Sequence, residues 1–189
     1  MNGNLGREKI PEKKRQNYAW EESPREKSGH LLDKIAERIA YERIVVRLYD
    51  TILLKHLEAP HREGLPPFEL LQQFHREEVE HFRKLCDIMR KLGGDPNAVS
   101  PSASVESVAG HGWIDVVTNP ETSFEQCLHI IHLAELGDND SWELLTDLAE
   151  ASDLKEEARI FRNCLAEEEG HLLNVRNWIR AHNLPENSH

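Results

Sequence analysis

The sequence predicts an all-α fold: a four-helix bundle with a long crossover between its second and third helices. Charged residues make up 30% of the 189, while aromatics make up only 6%, a balance that favours helices over a β-sandwich. Four segments carry apolar residues at alternating spacings of three and four, the period of a helix with one buried face. Between the second and third of these lies a connection of about 30 residues, too long for a structureless loop inside a compact domain and long enough for a crossover.

The length suits one domain with a sizeable core. Residues 1–28 are polar, mixed in charge and without an apolar stripe, and read as a flexible N-terminal arm. Tyr18 and Trp20 are its candidates for anchoring on a neighbour, as in a homodimer. The bundle proper is expected over residues 29–183, with a loose tail at 184–189.

The first helix is expected over residues 29–57, with Leu32, Ile35, Ile39, Val46, Tyr49 and Leu53 facing inward. One place in that series holds Glu42, so the periodicity aims Glu42 into the core and leaves Glu37 outside. Pro66-Pro67 opens the second helix, which ends at Gly93-Gly94-Asp95-Pro96. Its stripe reads Leu71, Phe74, Glu78, His81, Leu85, Ile88, Leu92.

Residues 93–121 form the connection, with short helical turns expected at Ser102–Ala109 and Gly112–Val117 and His111 in a loop between them. A helix of about 26 residues is roughly 39 Å long. About 28 extended residues reach more than twice that. The third long helix therefore need not run antiparallel to the second.

Thr122 and Glu125 form an expected capping box. The third stripe is Phe124, Leu128, Ile131, Glu135, Trp142, Leu145, Ala149, again broken by one glutamate. Gly137-Asp138-Asn139-Asp140 is poor helix material, and a local distortion is expected there. Asp153 and Glu156 are the expected cap pair of the fourth helix. Its stripe is Ile160, Phe161, Cys164, Glu168, His171, Val175, Trp178, and Asn183 with Pro185 ends it.

Six polar residues thus occupy core positions: Glu42, Glu78, His81, Glu135, Glu168 and His171. Two of the helices supply a Glu-x-x-His pair, which shares one helical face. The two hairpins repeat the pattern at nearly equal spacing, as a pseudo-twofold pair would. Four buried carboxylates repel one another and resist ionisation. Two divalent cations would neutralise them and give each oxygen and imidazole a partner. Oxygen and imidazole donors suit iron or manganese. The three cysteines, Cys86, Cys127 and Cys164, have no Cys-x-x-Cys spacing. That excludes a rubredoxin-type or zinc-ribbon site, and they read as small buried side chains.

The pattern resembles the ferritin-like di-iron carboxylate superfamily, in which two helices give one Glu each and two give Glu-x-x-His. The resemblance covers roughly residues 30–181 and includes Glu42-Arg43, His81-Phe82-Arg83, Ala134-Glu135-Leu136 and Asp138-Asn139-Asp140. It implies the same six residues as ligands to two metal ions, iron first and manganese second, acting on dioxygen or peroxide. Glu78 and Glu168 are candidates to bridge. Bacterioferritins place a haem-binding methionine where Val79 stands, so no haem is expected. Rubrerythrins carry a cysteine-rich electron-transfer domain that is missing from this sequence, and an extra Glu where His132 stands.

His132 is accordingly a candidate additional ligand, Asp138 a candidate partner for a ligand histidine, and Tyr49 a candidate redox side chain on the Glu42 face. His75 is a weaker candidate. Glu77, Glu80, Glu167 and Glu169 read as a solvated face, and Gly170 as either a site of close packing or a glycine the helix simply tolerates. The expected function is an oxidoreductase with an unidentified small-molecule substrate. Iron handling by a ferroxidase, and a bundle merely stapled by metal, are the alternatives. The net charge of −11 argues against nucleic-acid and anionic-membrane partners. The absence of a long apolar run and of a secretion signal gives the expectation of a cytoplasmic protein.

Overall fold

The structure is a computed structural model that describes residues 24–59 and 64–184, with side chains from residue 29 onward. Among these residues there are five helices and no strand: α1 Pro24–Glu58, α2 Phe68–Lys91, α3 Pro101–Thr118, α4 Phe124–Ala151 and α5 Lys155–Asn183. No helix among them is long and apolar enough to cross a membrane. Residues 1–23, with Tyr18 and Trp20, and residues 185–189 lie outside the described part.

The first helix begins inside the expected arm. Pro24 is its first residue, where a fixed φ and a missing N–H suit the opening turn. The core face of α1 is wider than the single stripe expected. Val45, Leu48 and Ile52 are fully buried, while Leu32, Val46 and Leu53 are half-buried. The reason is that α1 packs against α2, α3 and α4 at once.

The connection after α2 differs most from expectation. Instead of two short turns it forms one 18-residue helix, α3, started by Ser100 as N-cap and Pro101. Gly110 and Gly112 do not break it, and His111 sits on the helix, exposed. A Cβ at Gly110 would lie 2.3 Å from Ile44 Cδ1. The missing side chain is what lets α3 approach α1.

The remaining ends hold smaller corrections. The capping box of α4 uses Ser123 and Gln126, one residue beyond the expected pair. No distortion interrupts α4 at residues 137–140. A Cβ at Gly137 would lie 2.6 Å from Tyr41 Oη, so this glycine serves the α1–α4 contact. Asp153 does not cap α5. It takes φ 57° in the turn, a left-handed conformation that aspartate tolerates better than most residues, and Leu154 occupies the N-cap without a side-chain bond.

Contacts between helices give their directions. Near the C-terminal end of α1, Lys55 Nζ donates to the carbonyls of Asn119 and Thr122, just before α4. Further back along α1, Tyr41 Oη donates to Ala134 O, so α4 runs antiparallel to α1. Tyr49 meets Phe74 and Arg43 meets Phe82, which makes α2 antiparallel to α1 as well. Helices α2 and α4 therefore share a direction, and α3 lies in the chain between them. Two apolar clusters result, one around Leu48, Phe74 and Ile131 and the other around Ile35, Leu85 and Phe161. The polar residues described next lie between them.

Candidate metal centre

Each of the six stripe-breaking residues is buried. Glu42, Glu78, His81, Glu135 and Glu168 are 0% exposed and His171 is 1% exposed. They come from α1, α2, α4 and α5, and they converge. Glu42, Glu78, His81 and Glu168 place one donor atom each within 4.8 Å of the others. Glu78, Glu135, Glu168 and His171 do the same. The two sets share Glu78 and Glu168.

Both imidazoles turn Nδ1 inward and Nε2 outward. His81 Nδ1 lies 2.7 Å from Glu168 Oε1, and His171 Nδ1 lies 3.1 Å from Glu78 Oε1. Outside, His81 Nε2 is 2.6 Å from Glu167 Oε2, and His171 Nε2 is 2.7 Å from Glu77 Oε2. The exchange is reciprocal: the α2 histidine is held by an α5 glutamate and the α5 histidine by an α2 glutamate. A carboxylate on the far nitrogen fixes ring orientation and tautomer. Glu77 and Glu167 are thus not free members of a solvated face. The missed signal was that both motifs read Glu-Glu-x-x-His.

A second layer steadies the carboxylates. Tyr49 Oη donates to Glu135 Oε1 at 2.5 Å. Arg38, 2% exposed, donates from Nε and Nη2 to Glu42 Oε1 at 3.1 Å. It also pairs with the buried Asp138. Asp138 therefore engages Arg38 and not a histidine, contrary to expectation. Arg38 itself was missed, although it sits one helical turn before Glu42. Asn139 Nδ2 donates to the carbonyls of Glu135 and Glu168, tying α4 to α5 beside the cluster. Phe74 lies against His171 with ring centroids 4.1 Å apart, and Trp142 meets His81 edge-on.

The other candidates fall away from the cluster. His132 is half-buried and belongs to neither donor set. Burial, with Arg176 and His129 nearby, lowers its pKa. His75 Nε2 faces Asp50 at 2.9 Å. Glu37 pairs with Lys34 on the outside of α1. A Cβ at Gly170 would meet nothing within 4 Å, so that glycine does not serve close packing. A cleft lined by Val116, His129, Ile179 and His182 lies at the end of the molecule and shares no residue with the cluster.

Electrostatics divide the carboxylates into two kinds. Burial pushes Glu42 and Glu135 well above the usual carboxylate range; Arg38 opposes the shift at Glu42, and neighbouring Glu168 adds to it at Glu135. Glu78 and Glu168 are buried too, and Glu78 further opposes ionisation of Glu168, but the close imidazoles of His171 and His81 outweigh this and hold both low. The histidines move the other way. Burial would lower them, but contacts with Cys164, Glu167, Glu168 and Glu78 raise His81, and Glu168, Glu77 and Glu78 raise His171. Burial and the charges of Glu135 and Glu78 raise Tyr49, which stays a neutral donor.

The frame and the site together define a helical protein with a buried cluster of carboxylate and imidazole donors. Comparisons with protein-family models, curated proteins and solved structures returned no match, so no family is assigned to the chain.

Proposed function

We propose that the cluster holds two divalent cations, iron or manganese, and that the protein is an oxidoreductase acting on dioxygen or peroxide. One observation carries the reading: two four-donor sets, each with three carboxylates and one imidazole, share Glu78 and Glu168. That is the arrangement two neighbouring cations need from two bridging ligands. The unsatisfied atoms support it. Glu42 Oε2, Glu78 Oε2, Glu135 Oε2, both Glu168 oxygens and His81 Nδ1 are buried without a hydrogen-bond partner. Buried polar atoms normally find one. Here they lie close to one another without hydrogen-bond geometry, as donors around an ion would.

We read the fold in the same terms. Helices α1, α2, α4 and α5 would be the four long helices of a ferritin-like bundle, with α3 as the crossover. The shared direction of α2 and α4 supports this reading, because only a connection running the length of the bundle can join them.

When bound, the metal pair would supply redox chemistry toward dioxygen or peroxide. Glu42 and Glu135 would be terminal oxygen ligands, and His81 and His171 terminal nitrogen ligands. Arg38 orients Glu42, Tyr49 orients Glu135, and Glu77 and Glu167 hold the two rings. Phe74 covers His171 and Trp142 covers His81, with Phe161 packed behind Trp142. Val79, on the α2 motif, offers no axial ligand, so haem has no place in this proposal.

The metal-free site stores protons on Glu42, Glu135, His81 and His171. Loading would displace up to four of them per pair of cations, so uptake tightens as pH rises. The deciding experiment is metal analysis of the purified protein, then anaerobic loading with Fe(II) or Mn(II) and exposure to dioxygen or peroxide. Loaded protein should consume the oxidant, and a Glu168→Ala/His171→Ala double variant should bind no metal pair. Metal content unchanged in that variant would overturn the assignment.

A further inference from the structure

Among the described residues, one more group of ligand-type side chains converges outside the paired donor sets. His81, Cys164 and Glu167 place a nitrogen, a sulfur and an oxygen within 4.8 Å of one another. The His81–Glu167 contact already serves the paired site, but that site has no use for the sulfur of Cys164 beside it. Cys164 is 0% exposed, yet its Sγ is not in purely apolar surroundings. Lys84 Nζ lies 3.6 Å from it and 3.4 Å from Glu167 Oε2. A cationic group therefore already sits against this sulfur and this carboxylate, and it comes from a side chain that is 34% exposed.

We propose that His81 Nε2, Cys164 Sγ and Glu167 form a third cation site, selective for a thiophilic divalent ion such as zinc or cadmium, with the Lys84 ammonium as its built-in stand-in. The donor set is of the zinc type: one thiolate, one imidazole and one carboxylate, with a fourth position open. Tetrahedral binding holds sulfur at about 2.3 Å and nitrogen at about 2.0 Å, so His81 Nε2 and Glu167 Oε2, now 2.6 Å apart, would part slightly to admit the ion as Lys84 gives way. The thiol and the imidazole each give up a proton on binding.

His81 makes the site consequential. Its Nδ1 faces the paired donors and its Nε2 faces this outer group. An ion outside would replace Glu167 as the group that orients the ring, so a thiophilic cation would govern how His81 presents itself to the inner pair. Cys86 and Cys127 are buried and free as well, but among the described residues neither belongs to such a group of donors.

The test is a titration of the full chain with cadmium, read by the ultraviolet thiolate-to-cadmium charge-transfer band. The paired site contains no sulfur, so the band reports thiolate binding whether or not the paired reading holds, and Cys164→Ala separates the outer site from Cys86 and Cys127. The native chain should develop a band saturating at about one cadmium per chain. Cys164→Ala should lose it while keeping the cadmium taken up without sulfur. Lys84→Gln, which removes the competing ammonium, should tighten the band-forming step about tenfold, the scale of effects from groups around a metal site. No band in the native chain, or a band that survives in Cys164→Ala, overturns the proposal. Should Cys164→Ala not fold, Lys84→Gln decides, because unchanged or weaker cadmium affinity in that variant also overturns it.

Discussion

Arg38 is a full charge in the interior, and its partners explain how the structure tolerates it. Glu42 accepts from two of its nitrogens, Asp138 pairs with it, and the Tyr41 ring lies 4.1 Å beneath the guanidinium. Removing one member of a buried ion pair strands the others, at a cost of about 3–5 kcal/mol. Arg38→Met should therefore destabilise the metal-free protein by about that amount in urea denaturation. Combining it with Asp138→Leu should recover part of the loss, since residues in direct contact are not additive. The glycines divide in the same local way. Gly137→Ala forces a Cβ against Tyr41 and should destabilise by about 1–3 kcal/mol. Gly170→Ala meets open space and should stabilise by up to about 1 kcal/mol through helix propensity. A Gly170→Ala variant less stable than native would show that the backbone there is needed as it is.

At the scale of helices, the site is a seam that four elements share, and its protons decide how the seam behaves with pH. Folded Glu42 and Glu135 hold protons well above the ordinary value of 4.5, and folded His81 and His171 well above 6.5. The unfolded chain releases these protons first. Their contribution to stability is therefore complete in acid and is lost as pH rises past 4.5 for the glutamates and past 6.5 for the histidines. Glu78 and Glu168, held low, act oppositely and lose their contribution only in acid below 4.5. Thermal melts of the metal-free protein should show a midpoint that falls as pH rises from about 5 to about 8. Glu42→Gln/Glu135→Gln should flatten much of that slope. A midpoint that climbs over the same range would contradict the protonation pattern.

For the molecule as a whole, the paired cations would be a cross-link among α1, α2, α4 and α5, set between two apolar clusters. Ligand binding to the folded state alone stabilises it by mass action, by about 2.7 kcal/mol per site at a hundred times the dissociation constant. Chelation of the loaded protein should thus lower its melting midpoint, and the Glu168→Ala/His171→Ala variant should show no response to the chelator. The net charge of −11 acts at longer range. It draws cations toward the molecule, so the association rate in stopped-flow loading should fall as ionic strength rises.

Helical phase is a local property, and it made much of this protein legible from its residues. Glu42, Glu78, His81, Glu135, Glu168 and His171 each interrupt an apolar series, and all six are buried as their places in it require. That Glu42 is buried and Glu37 is not follows from the same count. Tertiary structure decided what phase cannot see. Asp138 meets Arg38 and not a histidine, His132 falls beside the cluster, and Glu77 and Glu167 cross between α2 and α5 to the imidazole of the facing helix. Gly110 passes from an apparent helix breaker to the contact that seats α3 on α1. Each of these depends on the register of one helix against another, which is set by packing between segments far apart in the chain and leaves no period in either segment alone.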